Sequence, residues 1–194
     1  CFFLTKYCKR VNTGRCFYAG VLSGNLYGSD VATIEPEQVV TLIREAVDTN
    51  PVGAHCKAVP FCLKELTLTT KMHPGFLAAK APIVRWAREC HIRTSPAAQA
   101  KGQEDVLTIG ELRKVGDLVM SAMKKGSTIT LWGPAQALRN SLDQMGLGLR
   151  NYHTLLVVRT MEEFDLFVGS PAMLADLLAV EFRWKMHDKV TKWI

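Results

Sequence analysis

Six cysteines and five histidines are the residues of this chain best suited to chemistry. Cys62 or Cys90 beside His55, His73 or His91 has the makings of a thiolate–imidazole pair, in which the imidazole takes the thiol proton and frees a nucleophile. No local signature around these residues supports that use. His55-Cys56 with Cys62, and Cys90-His91, also offer soft ligands for zinc. Structural zinc sites are built on tight paired knuckles such as C-x-x-C, and the chain has none. Free cysteine commonly packs as a small apolar side chain. The expectation is therefore reduced thiols in an intracellular protein, with no metal and no cofactor.

Other catalytic patterns are equally thin. Glu162, Glu163 and Asp165 form a carboxylate run on a short helix, and a solvated face explains it with less than acid–base catalysis requires. There is no phosphate-cradling G-x-x-x-x-G-K-S/T loop and no G-x-G-x-x-G fingerprint. The chain is read as a non-enzyme without catalytic residues.

Its cations carry a better hypothesis. Net charge is +6. Residues 1–95 hold 12 Lys/Arg against 7 Asp/Glu, and residues 96–194 hold 12 against 11. An excess of this kind favours phosphate-rich partners, nucleic acid or anionic lipid. Lys6, Lys9, Arg10 and Arg15 crowd an N-terminal arm beside Phe2, Phe3, Tyr7, Phe17 and Tyr18. Cations interleaved with rings can bind single-stranded RNA by phosphate contact and stacking; the alternative is that the rings are core and the cations solvated. Lys57, Lys64, Lys71, Lys80, Arg85, Arg88 and Arg93 extend the basic face over the front half. Such a face attracts anionic headgroups at about 1 kcal/mol per cation. Arg113 and Lys114 add a basic pair in the back half.

Helices must position these groups. Pro36 suits a first helical position, flanked by Glu35 and Glu37 at the positive dipole end. A helix is predicted over Pro36–Asp48, with Val39, Ile43 and Val47 as its buried face. Residues 16–22 read as a strand or an irregular packed arm. His73-Pro74-Gly75 marks a turn, and a helix is predicted over Phe76–His91, with Ile83, Trp86, Ala87 and Cys90 on one face. Thr108-x-x-Glu111 is a capping box, and the stripe after it is Ile109, Leu112, Val119 and Met123, interrupted by Gly116. Lys124-Lys125-Gly126 ends that helix, and Pro134 opens the next, which runs to about Gly146. Residues 170–193 form a last helix with the stripe Leu174, Leu177, Leu178, Phe182, Met186, Val190 and Trp193. Arg183, Lys185, Lys189 and Lys192 beside it give it some interfacial character, though a core-facing helix is commoner.

The polar run Thr94–Asp105 is the best linker in the chain. It places a division at 96–106, between an N-terminal helical domain with the basic face (1–95) and a C-terminal helical domain (107–194). The fold expected is mostly α: two helical bundles joined by a polar linker, with little or no β. No uncharged apolar run is long enough to span a bilayer. Phe2-Phe3-Leu4 is too short for a signal-peptide core. The chain begins at Cys1, and residues upstream of it are an open expectation.

One stretch carries a resemblance. Ile129-Thr-Leu-Trp-Gly-Pro-Ala-Gln-Ala-Leu138, followed by Met145-Gly146, resembles the matrix protein of influenza-like orthomyxoviruses. Leu66-Thr-Leu-Thr69, Gly75-Phe76 and Val84-Arg85-Trp86-Ala87 agree with it in order and approximate spacing. Together these cover about a sixth of the chain, and the divergence points to a distant genus such as the fish isaviruses. The resemblance implies an all-helical, two-domain structural protein on the inner face of a viral envelope, passing through host cytoplasm, plasma membrane and nucleus. It implies a homo-oligomer in contact with anionic membrane and with viral ribonucleoprotein or RNA. The family's dense basic run before the matched stretch is represented here only by Arg113-Lys114, with Lys124-Lys125 later.

Two alternatives differ in class. One is an RNA-binding nucleoprotein working through the basic aromatic arm. The other is a small α/β regulatory domain of the anti-sigma antagonist type, with Thr128–Leu131 and Leu155–Val158 as strands. The Asp-Ser-x-Gly-like turn that type needs is poorly matched by Asp105-Val-Leu-Thr-Ile-Gly.

Overall fold

The computed structural model describes residues 16–32, 34–49, 73–94, 108–145, 174, 178 and 179. The chain is mostly α-helical, and among the described residues there is no strand. A π-helical turn, Phe17–Leu22, runs directly into a short α-helical turn, α1 (Ser23–Asn25). Four longer helices follow: α2 (Pro36–Asp48), α3 (Pro74–Thr94), α4 (Ile109–Ala122) and α5 (Gly133–Met145). The chain divides into two compact units: Cys1–Ser29 with Ile34–Ala78 and Ala179–Ile194, and Asp30–Thr33 with Ala79–Leu178. The linker expected at 96–106, the 155–158 strand of the α/β alternative and nearly all of the last helix lie outside the described residues.

The first unit corrects three sequence expectations. Residues 16–22 are helical rather than a strand or an arm. Phe17 and Leu22 are buried five positions apart, the spacing that a wide i→i+5 turn brings to one side. Side chains help to hold the turn. The Ser23 hydroxyl donates to the Ala19 carbonyl at 2.7 Å, and the Asn25 amide donates to the Val21 carbonyl at 2.8 Å. Helix α2 begins at Pro36 as expected, with Glu35 at its N-cap and Glu37 in its first turn. Its buried face is Leu42, Ala46 and Val47, while Val39 and Ile43 are only half-buried. The stripe is rotated because Leu42 and Ala46 join Phe17 and Leu22 in one cluster, with Tyr18, Val21, Leu26 and Leu77 packed against it. Burying a side chain of this size contributes about 1.5–3 kcal/mol. Helix α3 begins earlier than expected, because His73 caps it: the Phe76 N–H donates to His73 Nδ1 at 3.3 Å.

In the second unit, Ile83, Trp86, Ala87 and Cys90 form the predicted buried face of α3. Helix α4 has the predicted capping box. The Glu111 N–H donates to Thr108 Oγ1 at 3.3 Å, and Glu111 Oε2 accepts from the Thr108 N–H at 2.6 Å. Leu112, Gly116 and Val119 then recur on one buried face, and α4 packs against α5. Ala137, Leu138, Leu142 and Met145 supply the buried face of α5. The connection between them, residues 123–132, forms no strand. That removes the first strand of the α/β regulatory alternative. Of the last helix, Leu174 and Leu178 are helical and buried, one turn apart as its predicted stripe requires.

Replacing Thr108 by Ala removes the acceptor that holds the Glu111 N–H. The expected loss is about 1 kcal/mol of unfolding free energy in a urea titration, with Thr108→Ser close to wild type. A Thr108→Ala protein as stable as the parent would show that the cap contributes nothing.

Candidate anion-binding surface

Of the thirteen cations expected at a lipid- or RNA-binding face, Lys6, Lys9, Arg10, Arg15, Lys57, Lys64 and Lys71 lie outside the described residues. So do the arm's Phe2, Phe3 and Tyr7. Its other two rings are placed: Phe17 lies in the core, and Tyr18 is half-buried against it. Phe17 is fully buried, and Tyr18 packs edge-to-face on it at 5.2 Å with an interplanar angle of 84°. Burial pushes the Tyr18 phenol up to about 12. Phe17 offers no face for a base to stack on, so the packed-core alternative holds for it, while Tyr18 is half-buried against that cluster.

Helix α3 carries Lys80, Arg85, Arg88 and Arg93. Arg85 and Arg88 are exposed and Lys80 is half-buried. Arg85 is already engaged. Its Nη1 donates to Asp30 Oδ2 at 2.6 Å, and its Nη2 lies 3.8 Å from Glu89 one turn on. The Arg85 hydrogen bond holds the Asp30 carboxyl below the usual carboxylate range, helped by the nearby charges of Arg85 and Arg88. Asp30 in turn raises the Arg85 guanidinium. A guanidinium held between two carboxylates is a weak phosphate ligand, so Arg85 contributes little to the expected face.

Helix α4 places Arg113 and Lys114 in solvent. Lys114 sits between two exposed carboxylates on its own helix, Glu111 and Asp117, each three positions away. The hydrogen bonds from Thr108 hold Glu111 below the usual range, and Lys114 adds to that. Glu111 is therefore a fixed negative charge at the helix start, where the macrodipole favours it.

Beyond α4 the balance changes. From Leu118 to Leu142 the chain has no Asp or Glu, while it carries Lys124, Lys125 and Arg139. Lys124 and Lys125 are both exposed at the head of the α4–α5 connection. Trp132 at its far end is 81% exposed, and Ile129 is 40% exposed. Sequence reasoning used Lys124-Lys125 as a helix end and as a late remnant of the matrix family's basic run, and did not place them among the candidate site residues. The signal that would have singled them out is the 25-residue span without a carboxylate, with a tryptophan inside it.

The nucleophile alternative loses Cys90. It is fully buried on α3, and burial, with Glu89 nearby, pushes its thiol up to about 12. Such a thiol stays protonated and unreactive at neutral pH. Among the described residues no group of three or more His, Cys, Asp or Glu is placed to hold a metal, and no helix is long and apolar enough to cross a membrane.

The Asp30–Arg85 pair has a definite pH signature. Because the folded-state pKa of Asp30 is lowered, its contribution is present above the unfolded value of about 4 and drains away as pH falls through the folded one. Both side chains are more than one-third exposed, so solvent screening limits the effect to about 0.2–1 kcal/mol. Asp30→Asn should cost that much in urea unfolding at neutral pH and nothing well below pH ~4. An equal cost at both pH values would rule out the ion pair as its source. No protein-family model, no curated protein and no solved structure matches the chain.

Proposed function

We propose that this chain is a structural assembly protein of the viral matrix kind. It polymerises beneath an envelope and bridges anionic membrane to ribonucleoprotein, with no bond-making step of its own. The observation that carries this is the setting of Ile129–Leu138, the stretch that resembles the orthomyxovirus matrix family. It leaves an exposed loop headed by Lys124 and Lys125 and enters α5, which packs on α4 in a helical scaffold. A mostly helical chain with an acid-free cationic span suits adhesion to phosphate-bearing surfaces. Weak contacts of this type, each worth about 1 kcal/mol per cation, hold firmly only when many copies act together. That is why self-association belongs to the same proposal.

The test is co-sedimentation with phosphatidylserine vesicles across a salt series, with electron microscopy of the pellet. Binding is expected at low salt, with release as ionic strength passes about 0.1–0.15 M and the Debye length shrinks to about 10–8 Å. Ordered arrays are expected on the vesicles. Salt-insensitive or absent binding, or a strict monomer by light scattering at high concentration, overturns the proposal. Tight RNA binding with a steep salt slope and no vesicle binding replaces it with the nucleoprotein alternative.

A further inference from the structure

We propose that the α4–α5 loop is the element that touches the membrane: Lys124 and Lys125 take the phosphates of anionic phospholipids, and Trp132 and Ile129 enter the interfacial layer. This rests on the membrane-bridging function proposed above and adds a lipid contact in the back half that the front-half cations do not supply.

The loop is longer than a helix hairpin requires. Ten residues, 123–132, separate α4 from α5, where helix–helix connections commonly take about 2–8. It is nonetheless a built structure. The Ser127 N–H donates to the Lys124 carbonyl at 3.1 Å and closes a four-residue turn. Gly126 occupies that turn's third position at φ +80°, the left-handed conformation that a type II turn demands there. The Ile129 N–H donates to the Ser127 hydroxyl oxygen at 3.3 Å. Leu131 is buried, so this end of the loop is held out of solvent. Gly133, at φ +56°, swings the chain into α5.

What this frame holds in solvent is a mixture suited to one occupant. Trp132 and Ile129 are apolar and exposed; Ser127, Thr128 and Thr130 expose hydroxyls; Lys124 and Lys125 are exposed with no acidic residue nearby in the sequence. Tryptophan partitions to the headgroup level of bilayers, and lysines beside it meet anionic phosphates. Single-stranded RNA is a poorer fit. Sequence-tolerant RNA grooves stack successive bases on several rings, and this loop has one ring, while Ile129 has no π face to offer. A second copy of the same loop is also a poor occupant, since it would set lysine against lysine.

The test uses the full chain with vesicles of phosphatidylcholine containing phosphatidylserine, and of phosphatidylcholine alone. Replacing both Lys124 and Lys125 by Gln should weaken binding to the anionic vesicles about thirty-fold, the equivalent of two cations at about 1 kcal/mol each. Brominated lipid should quench a component of the wild-type tryptophan emission, and Trp132→Ala should lack that component. Circular dichroism checks that these exposed substitutions leave the helices intact. If wild type binds the anionic vesicles and both variants match it, the loop assignment falls and the membrane function stands. If wild type fails to bind, both fall. Variants that keep vesicle binding but lose retention of single-stranded RNA overturn the lipid assignment in favour of RNA.

Discussion

Burial of the apolar faces of α4 and α5 decides what the second unit can show to solvent. Leu112 and Val119 on one helix, and Ala137, Leu138 and Leu142 on the other, are withdrawn from water. Helical periodicity then leaves the polar positions no choice of side. Arg113, Lys114 and Asp117 must face out. The connection between the helices inherits the constraint as well. One of its apolar residues, Leu131, is drawn inward, while Trp132 beside it stays in water. The surface chemistry is therefore a by-product of packing, and the packing is ordinary hydrophobic burial.

Counting charge along a sequence differs from finding charge that is available. The front half carries most of the net positive charge, yet Arg85 within it is held by Asp30 and Glu89. Asp30 and Arg85 are 55 positions apart, so no local window would pair them. The back half is nearly neutral in sum, but its acids and bases are segregated. A long acid-free span leaves Lys124 and Lys125 without a local counter-charge. Segregation, rather than the total, creates a field that an anionic surface can feel.

The legible parts of the fold are those written in short-range chemistry. The capping box at Thr108 and Glu111 depends on two side chains three positions apart, and it was readable. So were both ends of α2, where Pro36 starts the helix and Asn50-Pro51 lies just beyond Asp48. What was misread depends on distant neighbours. The rotation of the buried face of α2 toward Leu42 and Ala46 is set by Phe17 and Leu22, which join them in one cluster. The segment holding Phe17 and Tyr18 has the aromatic and branched content of a strand, but its buried partners make it helical. The same burial removed Phe17 from the expected nucleic-acid platform. Trp132 went unnoticed as a surface residue because a tryptophan in a loop is as readily core as exposed, and only its packing tells which.

The π-helical turn at Phe17–Leu22 bears on how this chain tolerates changes of length. A π turn holds one more residue than the α turn it replaces. Removing one residue between Phe17 and Leu22 would bring them to i,i+4 spacing, still on a common side of an ordinary helix. Adding one would swing them apart and break the cluster they share with Leu42 and Ala46. Among natural variants of this chain, single-residue gaps should therefore be found between these two positions, and single-residue insertions should be absent there.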